Sequence, residues 1–523
     1  MSAHASDREP AGDELRAVGS PELFSTVFIT GAAVMTVEIV GTRLIGPVFG
    51  VGLFVWSALL AVTLASLAGG YYAGGVLADR KQDPRLLGRT VIVAGVALAS
   101  APLLHRWALG AGEGLGMRAG PLFAATLLFA PALVCLGAAG PISVKLATKS
   151  LAAAGRGIGG VYAVSTLGSL VGTLVVGFVL VPALDATAIL AWTAAALILL
   201  GGASAARRKQ GLALGLLLVP LFIGEGATGQ LPPGLRLLDK SQSLLGLVEV
   251  IQDDNRGVRF LRSDHSIIGA TYESSGISAF AFVDVLAAIR FLQPRAKSCL
   301  NIGLGTGAVP TALGHQGIKV DVVEIDPAVV ELTKKHFGFI PTGKVHIEDA
   351  RAYLQRTDQR YDLVVHDTFT GGTTPEHLLS LEVLQRVRAL LRPGGVFALN
   401  FAGYYGGPNA EATYAVARTV RAVFPHVRAY RDSAPDPSKL VGNIAFFASL
   451  SPLEFQAPAN GQFDSERTEK FVKGIESWPI LDHVPPGPLV TDARNPLARL
   501  QLPIAEKHFE AMNEMLPAEV WLN

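Results

Sequence analysis

Gly303, Gly305 and Gly307 stand in "NIGLGTGAVPTALGHQGIKVDVVEIDPAVV", and Glu324 and Asp326 close the same stretch. Glycines at this spacing make a tight turn and let a ligand come up against the backbone. A carboxylate about 20 residues further on can accept both hydroxyls of a ribose. Together these residues read as a nucleoside-binding edge. A glycine turn without a ligand is the plainer alternative, and the acid at that separation argues against it. Two further acids follow at the ends of apolar runs. Asp349 lies in "KVHIEDARAYL", with Ala350 behind it, and Asp367 lies in "YDLVVHDTF".

These residues need a scaffold that brings them to one edge. "SCLNIGL" reads as a buried parallel strand, "VPTALGHQG" as the helix after it, ended at Gly317, and "KVDVVEID" as the next strand. "KVHIEDARAYL" reads as strand, Asp349, helix. "QRYDLVVHDTFTGGTTPEHLLSLEVLQRVRALLRPGGVFALNF" reads as a strand ending at Asp367, a loop, a helix, a turn at Arg392-Pro393-Gly394-Gly395 and another strand. Strands alternating with helices predict a parallel α/β sheet, with ligands at the carboxyl ends of the strands.

The chain before this region has a different character. Of 523 residues, 50% are hydrophobic and 17% charged, and the mean hydropathy is +0.40. The average conceals a split: long apolar runs fill Phe24 to about Phe222, and ordinary charge density begins near Arg236. Segments at roughly 23–42, 53–77, 88–105, 121–146, 157–181 and 185–204 are long enough for a bilayer, which takes about 20 residues. A seventh, 211–224, is short and contains Pro220. Basic residues concentrate in alternate loops: Arg80, Lys81, Arg85 and Arg89, then Lys145, Lys149 and Arg156, then Arg207, Arg208 and Lys209. By the positive-inside rule this places the N-terminus in the cytoplasm, and six crossings return the C-terminal domain there. Seven crossings would place it outside. Glu38, inside the first span, is either a functional ionisable group or an interfacial carboxylate near Arg43.

The expected organisation is a polar tail at 1–22, a transmembrane helical domain at 23–227 and a small β-rich segment at 228–290. A Rossmann-like domain at 291–455 and an extension at 456–523 complete it. The net charge of +1 argues against nucleic-acid binding. Cys135 and Cys299 fall in different halves, and neither reads as part of a zinc site. No cleavable leader is evident, and no metal is expected.

"GGVLADRKQDPRLLGR" resembles the loop between the second and third helices of major facilitator transporters. The preceding "EIVGTRLIGPVFGVGLFVWSALLAVTLASLAGGYYAGG" resembles the membrane half of fused transporter/spermidine-synthase-like proteins. Six helices make one transporter half, which argues against transport by this chain alone. The ordered set "GLGTGA", "VEID", "EDARAYL", "YDLVVHDTF" and "LRPGGV" resembles spermidine synthases, over roughly 236–450. "LVTDARNPL" resembles the closing motif of the fused group.

The resemblance implies a class I S-adenosylmethionine fold and aminopropyl transfer from decarboxylated S-adenosylmethionine to an amine. It implies Glu324 on the ribose, Asp349 with Ala350 at the adenine, and Asp367 as general base. The alternative for Asp367 is a loop-capping role. Three positions depart from the family pattern. Thr306 stands where an aspartate grips the aminopropyl ammonium, Thr370 replaces a second aspartate, and Phe282-Val283-Asp284 replaces Tyr-His-Glu. Asp284, Tyr272, His265 and His366 are candidates to compensate. Burying a dication calls for paired carboxylates, so putrescine is expected to be a poor acceptor. Two other readings stay open. One is a methyltransferase using S-adenosylmethionine, and the other is a non-catalytic nucleoside or polyamine sensor or transport accessory. A small amine and the lipid bilayer are the expected partners, at the cell membrane, and a homodimer is left open.

Overall fold

The computed structural model describes residues 20–50, 53–80, 83, 85–148, 154–205, 231–243, 245–264, 266–370, 372–433, 436, 439–458, 463, 465–474, 479–480, 484–517 and 520. The chain divides into two compact units, Met1–Gly229 with the last two residues, and Gln230–Trp521.

The first unit is helical. Its helices are α1 (Ser20–Phe49), α2 (Leu53–Arg80), α3 (Leu86–Glu113), α4 (Gly116–Ala147), α5 (Ala154–Val175) and α6 (Ala186–Ala205). A π-helical stretch, Val176–Leu180, and a last turn, Val181–Ala183, continue α5. Among the described residues six helices are long and apolar enough to cross a membrane. The seventh segment, 211–224, lies outside the described residues. Several glycines sit where helix backbones touch. A Cβ on Gly168 of α5 would stand 2.1 Å from the Phe28 carbonyl of α1, and one on Gly70 of α2 would stand 2.3 Å from the Val134 carbonyl of α4. Small residues allow this approach where lipid removes the hydrophobic drive to associate.

The second unit opens with an antiparallel meander of β1 (Leu235–Gln242), β2 (Leu247–Asp253), β3 (Val258–Ser263) and β4 (Ser266–Tyr272). After α7 (Phe282–Ala287) the chain builds an α/β sheet from β5 (Ser298–Ile302), β6 (Lys319–Glu324), β7 (Val345–Ile347), β8 (Tyr361–His366), β9 (Leu391–Tyr404), β10 (His426–Arg431), β11 (Val441–Ser449) and β12 (Pro479–Ile480). The order is β12-β10-β11-β9-β8-β5-β6-β7. β7, β6, β5, β8 and β9 are mutually parallel, while β11, β10 and β12 add on antiparallel. Intervening helices are α8 (Ala308–His315), α9 (Pro327–His336), α10 (Ala350–Arg356), α11 (Leu381–Leu390) and α12 (Glu411–Val423). The chain closes with α13 (Glu466–Gly474), α14 (Leu497–Leu500) and α15 (Leu502–Met515).

β5 is the first strand of this sheet, and its successors go to opposite sides, β6 to one and β8 to the other. The crevice outside β5 and β8 is therefore the topological switch point where open α/β sheets bind ligands. Three helices, α9, α10 and α11, start where the sequence supplies a capping side chain. Asp326 accepts the Ala328 N–H ahead of Pro327, Asp349 accepts the Ala352 N–H, and Ser380 Oγ accepts the Val383 N–H.

Two expected boundaries shift. β8 ends at His366, so Asp367 is the first residue beyond the strand. The turn at Arg392–Gly395 is not a separate element but an irregularity inside β9. Leu391 pairs with Tyr361 and Val396 already with Leu363, so the extra residues are extruded at the start of the strand. Gly394, at φ +74, accommodates the distortion.

Candidate active site

All three loop glycines adopt positive φ: +89 at Gly303, +54 at Gly305 and +73 at Gly307. At Gly303 the reason is contact as well as conformation. Its N–H donates to the Val323 carbonyl at 2.8 Å, and a Cβ there would lie 2.0 Å from the Asp367 carbonyl. The loop is held from behind by the Thr333 hydroxyl, which donates to the Gly305 carbonyl at 2.7 Å. β4 lies against its front: a Cβ on Gly269 would come within 2.5 Å of Thr306 Cγ2. Thr306 is buried under that strand.

Glu324, the last residue of β6, is buried beside the loop. Oε2 accepts the Leu304 N–H and Oε1 the Asp326 N–H, both at 2.9 Å. Burial pushes its carboxyl up to about 7, against the pull of the backbone N–H groups. A carboxylate has about four lone-pair sites, so two accepted bonds still leave room for a diol. Asp326 caps α9 and accepts the Ser243 hydroxyl at 2.9 Å, which ties the meander to the sheet edge. Asp349 caps α10, with His377 Nε2 3.6 Å from its Oδ2, and Ala350 is buried behind it. Arg351 donates to the His377 carbonyl at 2.9 Å and pairs with Asp492 of the "LVTDARNPL" motif.

Asp367 faces Gly303 across the switch point. Its N–H donates to the Ile302 carbonyl and its Oδ1 accepts Asn400 Nδ2, each at 2.8 Å. Enclosure by the protein raises its carboxyl to about 6, while the Asn400 bond works the other way. Side chains alternate between sheet faces along a strand. Asn301, Asp367 and Asn400 thus share the face of Cys299, Val365 and Ala398, and His366 shares the face of Ile302, Val364 and Leu399. Asn301 Nδ2 donates to the Gly303 carbonyl at 2.5 Å. Asn301 Oδ1, Asn400 Oδ1, Thr368 Oγ1 and both ring nitrogens of His366 are buried without partners among the described residues. Burial holds the His366 imidazole down to about 4.

The other candidates scatter. Tyr272 ends β4 and is largely exposed, its N–H donating to the Ile277 carbonyl at 2.9 Å. Thr370 is exposed and forms a bridge with Thr373. His265 lies outside the described residues. Asp284 is buried in α7 and committed elsewhere: Arg467 pairs with its Oδ2 at 2.8 Å, while the Ser465 and Thr468 hydroxyls reach Oδ1 at 2.5 and 3.2 Å. That engagement removes it as an open carboxylate for an amine.

Sequence reasoning passed over Asn301 and Asn400. The signal was present, since "CLNIGL" and "GVFALNF" each set one asparagine in an otherwise apolar buried strand. The hold exerted by the C-terminal residues was also missed. Gln501 and Thr374 exchange two hydrogen bonds, each 3.1 Å, and His508 Nε2 lies 3.0 Å from Ser266 Oγ. The His508 ring fills the space a side chain at Gly372 would need. The loop after Asp367 is thus fastened to the C-terminal segment and, through it, to β4.

A family model described as the spermine/spermidine synthase domain matches residues 286–439. That span contains the glycine loop, Glu324, Asp349, Asp367, Thr370 and Asn400, and begins after Tyr272 and Asp284. An N-terminal histidine N-methyltransferase of Emericella nidulans is 32% identical over 260 residues, 45% of this chain and 46% of that protein. A polyamine aminopropyltransferase of Vibrio vulnificus is 32% identical over 212 residues, 39% of this chain and 67% of that protein. The chain therefore spans about half the length of the first relative and two thirds of the second. A solved spermidine synthase from Thermotoga maritima is 21% identical and covers 44% of this chain and 79% of its own, with a TM-score of 0.35.

Proposed function

The chain belongs to the spermine/spermidine synthase family, and from that premise we propose that it transfers an aminopropyl group from decarboxylated S-adenosylmethionine to an amine. One observation carries the reading: the glycine loop beside the buried Glu324 carboxyl packs at Gly303 against the Asp367 backbone across the switch point, so that two carboxyl-bearing residues from different strand ends meet at one loop. In this reading Gly303, Gly305 and Gly307 admit the donor, Glu324 takes the ribose hydroxyls, and Asp349 with Ala350 takes the adenine. Asp367 faces the incoming amine. The amine nitrogen bonds to the carbon beside the sulfonium, the C–S bond breaks with its electron pair going to sulfur, and an N–H proton passes to Asp367. The sulfonium provides its own leaving group, so alignment and one proton acceptor suffice. Alignment contributes several kcal/mol, and a general base about 10²–10⁴-fold.

Methyl transfer from S-adenosylmethionine is the second reading. Thr306 favours it, because a neutral residue in the glycine loop does not repel a donor carboxylate. The Emericella nidulans relative is named for that chemistry. Mass spectrometry of products from each donor with an amine panel separates the two. An aminopropyl increment supports the first reading, a methyl increment replaces it with the second, and no product with either donor removes both.

The six apolar helices further support placement in the cell membrane, with the transferase domain in the cytoplasm where the donor is made. A cysteine at Gly226, in a chain freed of Cys135 and Cys299, should resist labelling from outside intact cells; labelling there would reverse the orientation.

A further inference from the structure

Among the described residues, the acceptor face of the switch point presents one carboxylate without a cationic partner. Asp367 is bonded by a neutral carboxamide, Asn400. Two other acids of the same unit already have cationic partners. Asp284 is paired with Arg467, and Glu273 with Arg259 at 3.2 Å. Asn301 and Asn400 share its sheet face, Thr368 follows it in the chain, and all three are polar but uncharged and keep a buried oxygen without a partner among the described residues. Asn301 and Asn400 are 1% and 0% exposed, so water does not satisfy them from bulk solvent.

Building on the alkyl-transfer reading, we infer that the acceptor carries a single amino group on an otherwise uncharged body. A primary ammonium brings three donors. One carboxylate and neutral carboxamide and hydroxyl oxygens can receive them. A second ammonium would need a second anion, because a buried charge without a partner is strongly disfavoured. Arg467 occupies Asp284, the carboxylate at the position where the family pattern has Tyr-His-Glu. This side of the switch point is thus suited to one cation that loses a proton to Asp367, and not to a diamine.

The matched test compares n-butylamine with putrescine, which differ by one terminal amino group, on the full-length protein with each donor. The inference expects kcat/KM for n-butylamine to exceed that for putrescine by about tenfold or more, the penalty of an unpaired buried charge. Thr370→Asp, which adds a carboxylate on the exposed loop three residues after Asp367, should narrow that ratio. Putrescine used as well as n-butylamine by the unsubstituted protein would overturn the inference and leave the transfer reading standing. Alkylation of neither amine would overturn the inference, whereas the transfer reading falls only if the whole amine panel gives no product with either donor.

Discussion

On the β6–β7 side of the glycine loop the protein's own backbone has already occupied the polar groups: Glu324 accepts two N–H groups and Asp349 one. On the β8–β9 side, Asp367 has one carboxamide bond, and Asn301, Asn400 and Thr368 each keep a buried oxygen unpaired. Buried polar groups are normally hydrogen-bonded, and each exception calls for a reason. The β6–β7 side is thus preorganised, its carboxylates fixed in place by backbone N–H groups. In the proposed reading, the β8–β9 side keeps that hydrogen-bonding capacity for an incoming group, and a substrate that supplies N–H donors would repair the deficit.

The contact that joins the two sides should be the most sensitive to change. Gly303→Ala places a Cβ against the Asp367 carbonyl at a positive φ. That carbonyl cannot retreat freely, because the adjoining N–H is bonded to Ile302. A loss of about 3 kcal/mol of stability is expected, visible as a lowered unfolding midpoint, with turnover abolished. An alanine variant with normal stability and turnover would show that the two sides are not packed as described.

Removing a single preorganised group from the β6–β7 side costs less. A hydrogen bond to a charged group contributes about 1.5–3 kcal/mol. Glu324→Ala should therefore weaken methylthioadenosine binding by roughly ten- to a hundredfold by calorimetry. Unchanged affinity would dissociate Glu324 from the nucleoside.

The smallest effect concerns His366, on the opposite face of the acceptor strand. Burial lowers its folded pKa to about 4, from an ordinary value near 6.5. Its contribution to stability is full above about pH 6.5 and is lost as the pH falls through about 4. His366→Leu should flatten that acid limb of the unfolding midpoint while leaving nucleoside affinity alone. An unchanged acid limb would mean that the imidazole is hydrated rather than enclosed.

The same contrast explains what could be read in the sequence. The placement of the glycine turn, Glu324, Asp349 and Asp367 is legible because these residues sit at strand ends, and strand ends follow from local apolar runs. The six apolar helices are legible for the same reason, since length and composition suffice. The pairing of Asp284 is not legible in the sequence, because its partner, Arg467, lies far along the chain on α13 and no local pattern announces it. The residues Arg392–Gly395 read as a turn from their Pro-Gly-Gly composition, yet pairing with β8 absorbs them into β9. Asn301 and Asn400 looked like tolerated polar residues until the register set them on either side of Asp367 on one sheet face.

The central claim is that Asp367 takes the proton of the attacking amine while the nucleoside is held elsewhere. Asp367→Asn keeps the shape and removes the base, so steady-state turnover and methylthioadenosine affinity measured on the same preparation test it directly. The expected result is a fall in turnover of about 10²–10⁴-fold with affinity essentially unchanged. The unsubstituted protein should lose kcat/KM as the pH falls below about 6, where its carboxyl protonates. A variant that turns over at the unsubstituted rate, with the same pH dependence, would contradict the assignment of Asp367 as the base.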